Sequence, residues 1–456
     1  MDPIREERKA ARRASQVPDS GVPRGPRDGP GRGRRAEISG SLRGFPRSER
    51  AWNRKGGSVM GRALPLDGIV VADFSRVLAG PYATMSLADL GATVIKVERP
   101  GTGDDTRGWG PPWTDRGSAY FESVNRSKRS VVLDFDDEQD RDAARELVRR
   151  ADVLVENFRP GVLARCGLDP DGARELNPAL IYASVSGFGS GPGADLPGYD
   201  FVVQAVGGLM SITGAPDGPP TKVGVAVVDV LTGKDLALGI LAALRQRDAT
   251  GLGQHVEVNL LSSLLAALVN QMSGLLTTGI APERMGNRHP SIAPYETLRC
   301  EDGLLAVAVG NDAQFRRFTE ALGLIGMADD PRFAANAERV ANRAELVRRL
   351  ENVLGARRAG DWQDRLHRAG IACGQVNDLS HAVHYAESLG LRPVVDPGDG
   401  GVAQARMPIE FSDLDVADPL APPQLGEHTD EVRGWLAADP SPLPPLSDEP
   451  ARGGHR

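Results

Sequence analysis

The chain has 456 residues, of which 40% are hydrophobic and 25% charged, and it carries a net charge of −7. This length excludes a mini-protein held together by disulfides or metal ions, and it predicts one large or two medium domains. The charge is uneven, because residues 1–60 hold 15 Lys+Arg and 7 Asp+Glu, a net of +8, which leaves 39 against 54, a net of −15, for residues 61–456. An acidic body repels phosphate backbones, so we do not expect a nucleic-acid-binding protein.

The three cysteines do not suggest a metal site or a disulfide framework. Cys166, Cys300 and Cys373 lie far apart and form no C-x-x-C pair, which favours a reducing, cytoplasmic location. The most apolar long stretch, residues 260–276, is interrupted by polar residues such as Asn270. It is shorter than the roughly 20 apolar residues that span a membrane. We therefore predict a buried helix there and no membrane association.

Residues 1–62 have the composition of a disordered basic extension, rich in Arg, Gly and Pro. Two interpretations stay open. The segment is a basic arm or a transit peptide, although acidic residues such as Glu6 and Glu7 are unusual in a mitochondrial presequence. Alternatively, translation starts at Met60, just before the first predicted strand. The tail over residues 441–456 is also predicted to be disordered.

From residue 64 onwards, short β-branched runs alternate with helical segments, which is typical of a doubly wound, Rossmann-like α/β domain with a parallel sheet. Helices are expected over residues 82–90, 138–150 and 235–245, and the last is apolar on most sides and hence buried. We assign residues 63–260 to the first part of this large domain. Its strands are expected over residues 68–74, 92–98, 130–135, 152–158, 180–185, 222–230 and 254–260.

A smaller α/β domain is predicted over residues 285–378, after a linker helix over residues 261–284. Residues 379–440 are punctuated by proline and are expected to return to the large domain. The strands of the small domain are predicted at residues 295–298 and 303–309, and its helices at residues 313–322, 337–354 and 362–369.

The first strand, turn and helix have the outline of a dinucleotide site, because Glu98 falls about where a ribose-binding acid would lie. The turn over residues 75–81 lacks the G-x-G-x-x-G spacing, so NAD is not specifically indicated. Helix N-termini bind phosphate without that motif, and Arg99 suits a phosphate better than a free ribose. The unit is therefore compatible with a nucleotide-containing ligand.

Hydrolase and metal motifs are absent from the sequence. It contains neither a G-x-S-x-G nucleophile elbow nor an H-E-x-x-H zinc motif. His381 and His384 lie three residues apart with no further ligand nearby, which favours a surface helix over a metal site. We predict no metal centre.

Asp229 is the strongest candidate catalytic residue. It lies near the C-terminal end of the otherwise apolar strand predicted over residues 222–230, just before a turn and a helix, where open α/β sheets bind ligands. Burial would weaken its solvation, while a helix N-terminus would favour its charged form, which suits a carboxylate nucleophile. The residues alone favour the alternative that Asp229 only caps the following turn. Asp200 is a rival carboxylate, and the glycine-dense residues 187–193 would permit backbone N–H groups to face an oxyanion.

Seven stretches between residues 63 and 436 occur in an order that matches a known family. Together they resemble the class III coenzyme A transferases, which include formyl-CoA transferase, carnitine CoA-transferase and α-methylacyl-CoA racemase. The stretches are LDGIVVADFSRVLAGP (66–81), LGATVIKVERPG (90–101), NRSKRSVVLD (125–134), DVLVENFRPG (152–161), YDFVVQAVGG (199–208), GNRHPSIAPY (286–295) and LGEHTDE (425–431).

The resemblance implies that Asp229 is the catalytic residue. Its carboxylate would attack an acyl-CoA thioester to form a mixed anhydride, the released CoA would form an aspartyl-CoA thioester, and an acceptor acid would then take the CoA. CoA is a substrate here, and no other cofactor is implied. The partners would be an acyl-CoA, a carboxylic acid and a second copy of the chain, because the family forms homodimers whose chains interlock through linkers, here around residues 260–285 and 378–395.

The resemblance also implies a set of CoA contacts. The arginines among them carry the charge that phosphates require, and the phenylalanine would pack against adenine. The positions that match the family's CoA-binding residues are Ala79, Arg99, Leu133, Asn157, Phe158 and Arg165.

Two departures narrow the expected reaction. Tyr199 stands where the racemase branch has a histidine, so one of the two proton-transfer bases is missing. Leu78 stands where formyl-CoA transferases have glutamine, and their four-glycine loop is absent, which disfavours formyl or oxalyl transfer. We expect an acyl-CoA:carboxylate CoA-transferase; the alternatives are a 2-methylacyl-CoA racemase or epimerase and a non-catalytic CoA-binding protein.

Overall fold

A computed structural model describes residues 64–446 except 399, 415, 417, 439, 440 and 445. The predicted extension over residues 1–62 and the end of the predicted tail lie outside the described residues. The strands are β1 (Val70–Asp73), β2 (Thr93–Glu98), β3 (Trp113–Thr114), β4 (Gly117–Ser118), β5 (Lys128–Val132), β6 (Val153–Glu156), β7 (Ile181–Ser186), β8 (His255–Asn259), β9 (Tyr295–Arg299), β10 (Leu304–Ala308), β11 (Ala372–Gln375), β12 (Val394–Val395) and β13 (Gln404–Ala405).

Helices alternate with these strands through the first part of the chain and dominate the second. They are α1 (Ala79–Asp89), α2 (Ala119–Glu122), α3 (Glu138–Arg150), α4 (Pro170–Leu176), α5 (Asp200–Val206), α6 (Leu209–Ile212), α7 (Val227–Thr250), α8 (Leu260–Ala267), α9 (Val269–Thr278), α10 (Asp312–Leu322), α11 (Asn336–Ala341), α12 (Arg343–Leu354), α13 (Ala359–Arg368), α14 (Leu379–Ser388) and α15 (Thr429–Ala437).

A parallel sheet of six strands, in the order β5-β2-β1-β6-β7-β8, lies at the centre of the large domain. This confirms the predicted doubly wound α/β fold. The chain order reverses between β1 and β6, so the loops that follow these two strands diverge. Such a switch point, at the carboxyl ends of parallel strands, is where open α/β sheets bind ligands.

Two apolar cores cover the two faces of this sheet, because successive strand residues point to opposite sides. Val71 and Val94 pair across β1 and β2 and belong to the core under α1 and α7. Their neighbours Ala72 and Ile95 belong to the opposite core, which α3 completes. Val432 of α15 is buried in this second core, so the end of the described chain packs on the large domain.

The small domain has a separate core. Its antiparallel sheet has the order β11-β10-β9 and is covered by helices α10 to α13. Phe315, Phe318 and Phe333 are fully buried there. Asn342 interrupts the single helix predicted over residues 337–354, which the structure divides into α11 and α12.

The strand predicted over residues 222–230 is wrong. Helix α7 begins at Val227 and runs for 24 residues, so Asp229 lies in its first turn. Side-chain oxygens accept hydrogen bonds from backbone N–H groups that a strand would use to pair with a neighbouring strand. Gln204 Oε1 accepts from the Val223 N–H at 2.9 Å, and Asp200 Oδ1 accepts from the Val228 N–H at 2.8 Å.

The buried helix predicted over residues 260–276 is also wrong. The segment forms α8 and α9, which meet at a bend of 79°. Helix α9 contains no buried residue, and Leu276 is 77% exposed.

The predicted burial of α7 holds for one face only, because Leu238 is 68% exposed. No single helix among the described residues is long and apolar enough to cross a membrane; α8 and α9 meet that test only as a bent pair, by length and composition.

Candidate active site

Two side-chain-to-backbone hydrogen bonds join the loops that diverge at the switch point. The Arg76 N–H donates to Asn157 Oδ1 at 2.9 Å, and Asn157 Nδ2 donates to the Arg76 carbonyl at 2.8 Å. Arg76 follows β1 and Asn157 follows β6, so one amide side chain fixes the distance between the two loops. Any ligand at this edge of the sheet meets a loop pair whose geometry is set before it binds.

The backbone of the first loop is held in an unusual conformation. Val77 has φ 71°, which is costly for a β-branched residue. Its N–H lies 3.3 Å from both carboxylate oxygens of Asp104. Asp104 in turn pairs with Lys96 at 2.9 Å, and Lys96 Nζ donates to the Ser75 carbonyl at 2.9 Å. This buried ion pair therefore supports the loop from below.

A second buried ion pair lies under the same loop. Asp73 and Lys128, both fully buried, are 3.0 Å apart. Burial alone would raise the pKa of Asp73, but Lys128, Lys96 and two hydroxyl donors lower it to about 2. Burial lowers the pKa of Lys128 to about 8, even though Asp73 opposes that effect. Neither Asp73 nor Lys128 lines the cavities described below, so this pair serves the fold.

Two adjoining cavities open beside the loop pair. The larger, of about 460 Å³, is lined by Asp229 together with Ala79, Asn157 and Phe158. The smaller, of about 200 Å³, is lined by Arg99, Leu133 and again Phe158. The structure therefore brings five of the six predicted CoA contacts and the predicted catalytic residue to one continuous region.

Arg165, the sixth predicted contact, lines neither cavity. It is exposed on the 3₁₀ turn Leu163–Cys166, although its neighbour Ala164 lines the larger cavity. Its guanidinium therefore faces solvent beside the cavity wall.

Asp229 is half-buried at the wall of the larger cavity. Burial, and secondarily the charge of Asp200, raise its pKa to about 7. The sequence led us to expect that the start of the helix would stabilise the charged form. That expectation is wrong, because Asp200 Oδ1 takes the N–H groups of Val228 at 2.8 Å and of Asp229 at 3.4 Å.

The helix that carries Asp229 packs closely against the helix that begins at Ala79. A Cβ atom on Gly233 would lie 2.7 Å from the Ala79 carbonyl oxygen, so only glycine permits this approach. Gly233 is one turn along α7 from Asp229. The close packing therefore places the candidate nucleophile beside Ala79.

Comparison with known proteins decides the family. The model of "CoA-transferase family III" matches residues 66–429. This chain belongs to that family. Succinate–glutarate CoA-transferase of Agrobacterium fabrum is 43% identical over 82% of this chain and 96% of its own length, and acetyl-CoA:oxalate CoA-transferase of Acetobacter aceti is 42% identical over the same shares. The crystal structure of a CaiB/BaiF family protein from Brucella suis superposes with a TM-score of 0.75 at 43% identity, over 82% of this chain and all of that one.

The sequence analysis assigned no role to Tyr120 of this family III transferase. The only sequence feature that could have drawn attention to it is that Phe121 follows it directly, as an adjacent aromatic residue. Burial raises its pKa to about 12, and the charges of Asp229, Asp200 and Asp104 act in the same direction. The charges of these three carboxylates therefore act on the phenol, although Tyr120 lines neither of the two cavities. Trp109 packs edge-on against it, with ring centroids 5.2 Å apart.

The far wall of the larger cavity in this transferase is polar and acidic. Ser184 Oγ lies 2.9 Å from His255 Nε2, on neighbouring strands. Burial, together with Glu257, raises the pKa of Glu156, and Glu156 and Glu257 both line the cavity. These two carboxyl groups make this part of the cavity wall acidic.

The transferase uses Glu98 for structure, and the ribose-binding interpretation of this residue is wrong. One carboxylate oxygen accepts from Arg107 Nη2 at 2.6 Å and Ser130 Oγ at 2.7 Å, and the other accepts from Arg107 Nε at 2.7 Å and the Asp104 N–H at 2.9 Å. These four hydrogen bonds use both oxygens, so Glu98 has little capacity left for a ligand.

His381 and His384 lie on the exposed helix α14, where His381 contacts Asp378 at 2.8 Å. Within the described part of the chain, no group of three or more His, Cys, Asp or Glu side chains is arranged to hold a metal ion.

Proposed function

We propose that this transferase moves CoA from an acyl-CoA donor to a carboxylic acid acceptor through covalent intermediates on Asp229. One observation carries the proposal: Asp229 lines the cavity beside the positions matched to CoA contacts, with its pKa raised to about 7. A carboxylate that is poorly solvated but still ionised near neutral pH is a more reactive nucleophile than one in water.

The exchange balances without a cofactor. An Asp229 carboxylate oxygen attacks the thioester carbonyl, the C–S bond breaks, and CoA leaves as the thiolate, giving a mixed anhydride. The thiolate then attacks the Asp229 carbonyl carbon and releases the donor acid as its carboxylate. The acceptor carboxylate attacks the carbonyl of this aspartyl-CoA thioester, which expels the thiolate and forms a second mixed anhydride. The thiolate then attacks the acceptor's acyl carbon, the anhydride C–O bond breaks, and the products are the acceptor acyl-CoA and the free Asp229 carboxylate.

Five of the matched positions support a binding mode for CoA. Leu133 and Arg99 line the smaller cavity, Ala79 and Asn157 line the larger one, and Phe158 lines both. We propose that the nucleotide occupies the smaller cavity and that the pantetheine arm runs past Phe158 toward Asp229. Arg165 would contact a part of CoA that extends outside the cavities.

We propose short dicarboxylic acids as acceptors. Relatives that are 37–43% identical are named for glutarate, oxalate and mesaconate. The relative named for oxalate weakens our expectation that Leu78 disfavours oxalyl transfer, so oxalate belongs among the acids to be tested.

Trapping of the covalent intermediates tests the proposal. Incubation with succinyl-CoA or acetyl-CoA and then hydroxylamine or borohydride is expected to modify Asp229, as read by peptide mass spectrometry. Asp229→Ala is expected to fold and to lose transferase activity, whereas Asp235→Ala, an exposed carboxylate on the same helix, should retain it. Full activity of the Asp229 variant would exclude this mechanism, and exchange of the α-proton of 2-methylacyl-CoA in D₂O would indicate racemisation instead.

We also propose that the protein is a homodimer. Apolar side chains are exposed on α7, on α9 and just beyond it, where Leu238 is 68%, Val269 67%, Leu276 77% and Ile280 73% exposed. A second copy that interlocks through this linker would bury them. Native mass spectrometry should give a dimer for the wild type and a weaker dimer for Leu276→Lys. A monomeric wild type would contradict this proposal.

A cytoplasmic location stays a prediction from the cysteine pattern.

A further inference from the structure

Arg76 lies at the junction of the two cavities and lines both. Its guanidinium carbon is 5.3 Å from the centroid of the Phe158 ring, the other residue at the junction. Its Nη1 lies 3.2 Å from Asp105 Oδ2. Its Nε is buried, and no described residue accepts a hydrogen bond from it. The remainder of the guanidinium is accessible, because the Arg76 side chain is 34% exposed, so a ligand in either cavity can contact its terminal nitrogens.

A single carboxylate joins Arg76 to Arg99. Asp105 Oδ1 lies 2.5 Å from Arg99 Nη2, while its other oxygen contacts Arg76. Arg99 Nε donates to Thr102 Oγ1 at 2.7 Å, which fixes the second guanidinium. The arginine side chains remain 34% and 48% exposed. The group of three therefore has a net charge of +1 and two guanidinium planes held near each other at the cavity surface.

The rest of the smaller cavity is unfavourable for an anion. Asp134 and Asp136 line it, as do Glu98 and Asp104, whose carboxylates are bonded within the protein. Besides the buried Lys96, which is paired with Asp104, Arg76 and Arg99 are the cations along this wall. A phosphate that binds here depends on both of them.

We propose that Arg76 binds a phosphate group of CoA, with Arg99 as its partner and Asp105 as the residue that positions both. This inference rests on the proposed function, because it assumes that CoA is the ligand. Arg76 was not among the positions that the resemblance matched to CoA contacts. The phosphate comes either from the 3′-phosphate of the ribose or from the diphosphate, and both are phosphate esters that a guanidinium can bind in a bidentate manner.

Calorimetric titration of the full chain with CoA and with 3′-dephospho-CoA tests the inference. Arg76→Ala is expected to raise the Kd for CoA at least about tenfold, and the KM for acyl-CoA in parallel, with kcat changed less than about threefold. Arg76→Lys keeps the charge but loses Nε and the planar fork, so we expect an intermediate Kd. Arg149→Ala is the matched control, because Arg149 is an arginine of the same domain, paired with Glu146, that lines neither cavity.

The two ligands identify the phosphate. A loss confined to CoA assigns Arg76 to the 3′-phosphate, and an equal loss for both ligands assigns it to the diphosphate. If Arg76→Ala binds both ligands with Kd values within twofold of wild type, the inference is overturned. If Arg76→Ala does not fold, Arg76→Lys decides instead, and Kd values equal to those of wild type would overturn the inference. A wild type that fails to bind CoA would instead overturn the proposed function, so the two failures are distinguishable.

Discussion

The Asp200 carboxylate caps the helix that carries Asp229. Its Oδ1 accepts the amide of Val228 at 2.8 Å and that of Asp229 itself at 3.4 Å, and its Oδ2 accepts from Gln204 at 2.6 Å. The N–H groups at the start of α7 are therefore already bonded to the Asp200 carboxylate. Asp229 is repelled by that charge instead of being stabilised by the helix N-terminus. Two acidic residues 29 positions apart in sequence thus have a capping role and a proposed reactive role.

Asp200→Asn should move the acid limb of the pH profile of kcat/KM to lower pH. The amide keeps an oxygen that can cap the helix but removes the charge that helps to raise the pKa of Asp229 to about 7. Because burial is the larger cause, we expect a displacement of about one pH unit or less. An unchanged acid limb would show that this limb does not report Asp229.

Asp229→Asn should stabilise the fold at alkaline pH. The pKa of Asp229 rises from 3.8 to about 7 on folding, so the native state holds the proton more tightly than the unfolded chain does. The wild type therefore loses stability as pH rises from about 4 to about 7, by up to about 4 kcal/mol. Urea unfolding of both proteins at pH 4 and pH 8 should show a gain for the variant that is present at pH 8 and small at pH 4. An equal gain at both values would contradict the raised pKa.

Removing one member of the buried Asp73–Lys128 pair should destabilise the large domain. Asp73→Asn leaves the fully buried Lys128 ammonium without its carboxylate 3.0 Å away. We expect a loss of about 3–5 kcal/mol in the free energy of unfolding. The double variant Asp73→Asn with Lys128→Met should recover part of that loss, since no charge stays buried without a partner. A double variant less stable than Asp73→Asn alone would show that the unpaired Lys128 charge is not the main cause of the lost stability.

Asn157→Ala should weaken CoA binding without removing the nucleophile. The variant loses both hydrogen bonds to the Arg76 backbone, at 2.9 and 2.8 Å, and so frees the loop pair at the switch point. We expect the KM for acyl-CoA to rise about tenfold, with a smaller change in kcat. Asn177→Ala serves as a control, because Asn177 also bonds backbone carbonyls of the large domain but lines neither cavity. Equal effects of the two variants would indicate a general loss of stability.

Local patterns predicted the strands of the parallel sheet well, because the central strands β1, β2 and β6 are mostly buried and therefore form short runs rich in β-branched residues. Helix α3 was predicted with the bounds Glu138–Arg150 that the structure has, since its apolar residues repeat at helical spacing. The same criterion failed at residues 222–230. Their alternating valines resemble a strand, but Asp200 and Gln204 occupy the amides that a strand would pair.

The sequence by itself determined the fold class, the family resemblance and the choice of Asp229, because these depend on residue order and type. Only the tertiary structure decided which neighbours act on that residue. Asp200 raises the pKa of Asp229 from a separate segment, Asp229 acts in the same direction on the pKa of Tyr120, and Arg76 lines both cavities. These effects depend on distance, burial and the loss of water. Electrostatic energies follow separation in space and the local dielectric, and neither quantity can be derived from spacing along a chain.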